Sequence, residues 1–137
     1  VVAVDPGTAK CGVAVVRRGA AGGPPAVLYR EVTDTASVAS IASRLITAHG
    51  AGVVLVGDAT GGRAVRDTLA AVLGPDGPVL IPVPEAHTSR RARERYLREN
   101  PPRSAFARLL PLGLRTPDAP YDDYVAVLLA EAYLASG

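Results

Sequence analysis

Val1-Val2-Ala3-Val4-Asp5-Pro6-Gly7-Thr8 opens the chain, and its reading decides the fold. Four apolar residues in a row are the pattern of a strand buried on both faces. The run ends in a carboxylate, Asp5, and then in a Pro-Gly turn. A charge at the end of a buried strand is costly unless it is paired or holds a cation. Asp5 is therefore either a metal ligand or an Asx-type turn former beside Pro6-Gly7.

Working outward, Gly12 to Arg17 reads as a second strand and, past the glycine/proline loop 19–25, Ala26 to Thr33 as a third. Connections this short predict an antiparallel meander. Thr35 or Ser37 is placed to cap a helix running to His49, with Val38, Ile41, Ala42, Leu45 and Ile46 along one face. Val53 to Val56 is a continuous apolar run, so a buried parallel strand. Helix 63–73 follows and stops at Gly74-Pro75. Strand 79–83 carries Pro82, which predicts a sheet edge. Thr88 caps a helix through Arg98, and 103–120 is irregular with an apolar piece at 106–114. The last helix runs over 122–135. The order β-β-β-α-β-α-β-α-α predicts an α/β fold: a five-stranded mixed sheet, three meander strands and then two parallel ones, flanked by helices.

The chain has 137 residues, enough for one domain with a real core over 1–137. Its mean hydropathy of +0.20 argues against disorder. The start at Val1 implies that a few residues ahead of it are missing. No apolar run reaches membrane-spanning length, and no basic segment precedes an apolar one as in a secretory signal. The lone cysteine, Cys11, excludes an internal disulfide or a cysteine-based zinc site and suits a reducing cytoplasm.

Net charge is only +2, but it is unevenly spread. Arg90, Arg91, Arg93, Arg95, Arg98, Arg103, Arg108 and Arg115 face only Glu94 and Glu99 over 90–115. Such a patch is either a solvated face or a surface for a phosphate backbone. For the second reading Arg90, Arg91, Arg95 and Arg98 are the candidate contacts, with Lys10 in the first turn.

Phosphodiester hydrolysis by hard divalent cations needs carboxylates converging from several elements. Asp5, Asp58 after the fourth strand, Glu85 after the fifth, and Asp122 and Asp123 at the last helix start meet that description. Each has an ordinary alternative: a turn acid, a loop acid, or an acid favouring a helix N-terminus. Placing Glu131 on the solvent face puts Asp122 toward the sheet and Asp123 toward the flank, as a cap or an outer ligand. His87 is a surface loop residue or a water-positioning group. Tyr121 and Tyr124 are core residues or base-stacking platforms.

Read together, these segments resemble the RuvC-like branch of the ribonuclease H-like superfamily. The YqgF family, described both as pre-16S rRNA nucleases and as Holliday junction resolvases, is most similar. Asp5-Pro6-Gly7-Thr8-Ala9-Lys10-Cys11-Gly12-Val13-Ala14 looks like that family's opening strand pair, and Val53 to Gly57 like its Val-Val-Gly strand. Val83-Pro84-Glu85-Ala86-His87-Thr88-Ser89 resembles its Asp-Glu-Arg-Leu-Thr-Thr segment, with Pro84 and Ala86 as departures. Asp122 to Leu129 resembles its closing helix. The resemblance implies a ribonuclease H-like fold in which Asp5, Glu85 and Asp122 are the metal-binding catalytic set, using Mg²⁺ or Mn²⁺ on RNA or structured nucleic acid. Asp58 would replace or supplement Glu85, and 99–120 would serve as a homodimer contact or a flap over substrate. Two other outcomes stay open: an inactive nucleic-acid-binding domain, and an ATP-binding fragment built on a similar Asp-x-Gly-Thr strand pair.

Overall fold

A computed structural model describes residues 1–86 and 88–137. Five strands, β1 (Val2–Asp5), β2 (Lys10–Arg17), β3 (Ala26–Asp34), β4 (Val53–Gly57) and β5 (Val79–Val83), form one sheet in the order β3-β2-β1-β4-β5. β1, β2 and β3 are antiparallel neighbours, and β4 and β5 continue the sheet parallel to β1. The meander, the buried parallel strand and the proline-bearing edge strand are all as expected. The α-helices are α1 (Val38–His49), α2 (Gly62–Leu73), α3 (Thr88–Glu99), α4 (Ala105–Leu109) and α5 (Asp122–Ser136). No helix among the described residues is long and apolar enough to cross a membrane.

Strand side chains alternate between the two faces. Val2, Val4, Val13, Val15, Val54 and Val56 pack on one face beneath α1 and α2. Ala3, Ala14, Val16 and Leu55 pack on the other, beneath α5 and α3. By the same alternation Asp5 lies on the α5 face, two residues beyond Ala3. The α1 stripe Val38, Ala42, Leu45 and Ile46 is buried as its spacing predicts.

α5 differs from a surface helix. Asp123 through Ala130 are all buried, because α5 lies between the sheet and α3. Its supposed solvent-side marker, Glu131, is instead only partly exposed and ion-paired with Arg95 of α3 at 2.9 Å.

Local corrections concern caps and the 99–120 segment. Neither Thr35 nor Ser37 caps α1 through its side chain. Asp34 instead accepts both the Ser37 amide (2.9 Å) and its hydroxyl (3.1 Å), while the Thr35 hydroxyl donates to the Gly7 carbonyl at 3.0 Å. The segment before α5 contains α4 and a 3-10 turn at Leu112–Leu114. Arginines hold it: Arg108 donates to the Pro102 carbonyl, Arg115 to the Leu110 and Arg108 carbonyls, and Arg93 to the Arg115 carbonyl. Tyr96 adds a hydrogen bond to Asp118, which pushes its hydroxyl up to about 12. Tyr124 is 3% exposed and packs edge-on against Tyr96, so it is a core residue and not a stacking platform.

Candidate active site

Asp5 stands between two glycines. Across the β1–β2 ladder it pairs with Gly12. On the other side, the β1–β4 register, which matches Val4 with Val56, brings Gly57 next to it. Both glycines occupy the α5 face, and both gaps are filled. A Cβ on Gly12 would lie 1.9 Å from the Asp122 carbonyl oxygen, so the first turn of α5 rests directly on the missing side chain. A Cβ on Gly57 would lie 1.8 Å from Glu85 Oε1. The two glycines thus let two further acid-bearing segments close in on Asp5.

The electrostatics follow from this placement. Asp5 is 8% exposed and has no ion pair among the described residues. Burial first, then the charges of Glu85 and Asp122, push its carboxyl up to about 8. Glu85 is also raised: burial is the main cause and the Asp58 charge adds to it, against a hydrogen bond from the Ala59 amide. Among the described residues no three His, Cys, Asp or Glu side chains close around one point. The acids stand as an open set, with the Glu85 carboxylate drawn onto Gly57 and the Ala59 N–H (3.4 Å).

Asp58 is exposed and belongs to Glu85 more than to Asp5. Its Oδ1 accepts the Glu85 amide at 3.3 Å, while its own amide donates to the Val83 carbonyl at 3.0 Å. The loops after β4 and β5 are knitted together by this exchange. Asp123 is more buried than Asp122, contrary to the flank position expected for it. Its carboxylate is taken by Arg30 of β3, whose guanidinium also donates to the Tyr124 hydroxyl (3.0 Å) and lies 4.1 Å from the Tyr124 ring centre. Arg30 went unread in the sequence. Its signal was there: it pairs in register with Ala14, which puts an arginine on the inward, α5-side row of an edge strand.

The basic candidates divide. Lys10, Arg91 and Arg98 are exposed. Arg90 is exposed and pairs with Glu94 one turn away at 3.2 Å. Arg95 is committed to Glu99 (3.0 Å) and to both oxygens of Glu131, so it braces α3 on α5 and is not available to phosphate. His87 lies outside the described residues.

No protein-family model matches the chain, and no curated protein matches it. Solved structures do. RuvC of Thermus thermophilus superposes with a TM-score of 0.63 at 15% identity, over 99% of this chain and 96% of that one. The fowlpox virus resolvase in complex with Holliday junction DNA gives 0.63 at 12%, over 99% and 98%. The fowlpox virus Holliday junction resolvase gives 0.62 at 14%, over the full length of both chains. At these identities the likeness is one of fold, and the chain has the RuvC-like ribonuclease H fold.

Proposed function

We propose that this chain is a divalent-metal-dependent nuclease, a single ribonuclease H-like catalytic domain that hydrolyses phosphodiester bonds in RNA or structured nucleic acid. Pre-16S rRNA processing, as in the YqgF family it resembles, is the narrower assignment. The observation that carries the proposal is the row Gly12–Asp5–Gly57, with Asp122 seated on one glycine and Glu85 on the other. Acids carried by three elements flank that row, with no arginine or lysine ion-paired to Asp5 among the described residues. An all-oxygen, all-acid donor set fits Mg²⁺ or Mn²⁺ in type. Asp5, Glu85 and Asp122 would hold the ion. Asp58 supports Glu85, and Asp123 is neutralised by Arg30.

With the cation bound, it supplies activation of a water and neutralisation of charge on the phosphodiester. The protein's own residues do the rest. Asp5 is fixed by the central strand and has little freedom to move. Arg30 anchors the first turn of α5 and so orients Asp122. Lys10, Arg91 and Arg98, exposed and without an ion pair among the described residues, would present cations to a sugar-phosphate backbone.

The test is cleavage of single-stranded RNA, single-stranded DNA and a four-way junction with Mg²⁺ or Mn²⁺, using the protein and its Asp5→Asn variant. Metal-dependent cleavage abolished by the substitution is expected. Cleavage undiminished by it overturns the assignment. A second reading, a junction resolvase acting on DNA, is favoured by the likeness to the fowlpox enzyme seen with Holliday junction DNA. Preference for the four-way junction in the same panel would select it.

A further inference from the structure

Beyond the carboxylates, on the α1/α2 side of the Pro6–Gly7 turn, lies a hollow of about 240 Å³. Thr8, Thr35, Val38, Ala64 and Thr68 line it, and Gly7 and Gly61 supply bare backbone. We infer that this hollow receives one unpaired nucleobase of the strand lying across the carboxylates. The inference rests on the nuclease reading for its ligand and adds that the substrate has an unstacked nucleotide beside the cut.

The chemistry of the walls suits a base. No charged side chain lines the hollow. The Thr35 hydroxyl is already donated to the Gly7 carbonyl and that of Thr68 to Ala64 in its own helix, at 3.0 and 2.9 Å. The start of α1, which would otherwise attract an anion, already holds the Asp34 carboxylate on the Ser37 amide. What remains is aliphatic surface, threonine methyls and oxygen lone pairs, which suit the faces and N–H edge of a neutral planar ring.

Distance points the same way. Gly7 is two residues beyond Asp5, so their Cα atoms are at most about 7 Å apart. That is on the order of two base rises of about 3.4 Å. A strand held at Asp5 therefore brings a nucleotide within two steps of the cut to the mouth of the hollow. The backbone of Lys10 packs against Gly7, where a Cβ would meet the Lys10 carbonyl oxygen at 2.1 Å, and Lys10 itself is exposed.

The experiment has two independent arms. In the first, adenosine and uridine are titrated into the protein while backbone amide resonances are followed. Saturable shifts at Gly7, Thr8, Thr35 and Thr68 are expected, and they should vanish in Ala64→Phe and in Thr68→Phe, two exposed helix positions whose rings would fill the hollow. Thermal melts establish that each variant is folded, and two variants guard against one failing. In the second, both variants should cleave single-stranded RNA with unchanged kcat and a KM raised about tenfold. Absence of saturable shifts at the hollow, or equal shifts in both filled variants, overturns the inference. So does cleavage by them with unchanged KM, which would leave the nuclease reading intact. Nucleoside binding by a protein that cuts nothing supports the hollow and sinks the nuclease reading instead.

Discussion

Arg30, on edge strand β3, ion-pairs with Asp123 in the first turn of α5 and lies over the ring of Tyr124, 4.1 Å from its centre. Asn100 joins the same knot by donating to the Tyr124 hydroxyl at 3.1 Å. Adjacent aspartates thus have opposite situations: Asp123 is buried and neutralised, while the charge of Asp122 bears on Asp5. Asp123→Asn should therefore keep the stabilisation that Mn²⁺ gives in a thermal melt, and Asp122→Asn should lose it. Arg30→Ala strands a buried carboxylate and removes a cation–π contact. Its half-exposed side chain reduces the cost to about 1–3 kcal/mol in urea unfolding. Loss of the Mn²⁺ response in Asp123→Asn alone would make Asp123 the ligand.

The two glycines beside Asp5 predict different failures. At Gly12 the obstacle to a Cβ is the backbone of Asp122 and Asp123, at 1.9 to 2.6 Å, and it cannot yield without moving α5. Gly12→Ala should cost about 1–3 kcal/mol of stability, together with activity. At Gly57 the obstacle is only the flexible carboxylate end of Glu85. Gly57→Ala should leave the fold within about 1 kcal/mol of the parent, since alanine is the better strand residue, yet evict Glu85 and abolish the Mn²⁺ response. Equal melting losses in the two variants would contradict this account.

Asp5 also ties stability to pH. Burial and the charges of Glu85 and Asp122 push its carboxyl up to about 8 in the fold, well above the usual carboxylate range. The folded state therefore holds the proton more tightly. Its contribution to stability is complete below the unfolded value and is lost as pH rises toward 8. In the presence of a chelator, Asp5→Asn should match the parent in acid and exceed it by about 1–3 kcal/mol in mild alkali. Mn²⁺ should close that gap by stabilising only the parent. Parallel melting curves for the two proteins across the whole pH range would show that Asp5 is not held in this way.

Much of this was legible in the sequence because it is local. Apolar runs set the strands and Pro82 set the edge, and Asp5, Glu85 and Asp122 drew notice because each stands at the end of an element. Pairings across long stretches of chain left no such trace. Arg30 and Asp123 are far apart in sequence, and nothing in a strand pattern says which acid an inward arginine meets. The helical wheel misjudged Asp123 because it assumed that α5 has a solvent face, whereas Glu131 lies against α3. The 99–120 segment is held by guanidinium–carbonyl bonds, which have no periodicity to read.

The same distinction separates the arginines of α3. Arg91 and Arg98 are exposed, whereas Arg95 is spent on Glu99 and Glu131. A cation that contacts phosphate releases counterions when nucleic acid binds. Arg91→Ala and Arg98→Ala should each reduce the slope of log affinity against log salt by about 0.7–0.9, measured by fluorescence anisotropy without divalent metal. Arg95→Ala should leave that slope unchanged and instead lower stability by about 1 kcal/mol, because its partners are partly exposed. A slope change for Arg95→Ala as large as that for Arg91→Ala would mean that the Glu131 pair opens to admit the backbone.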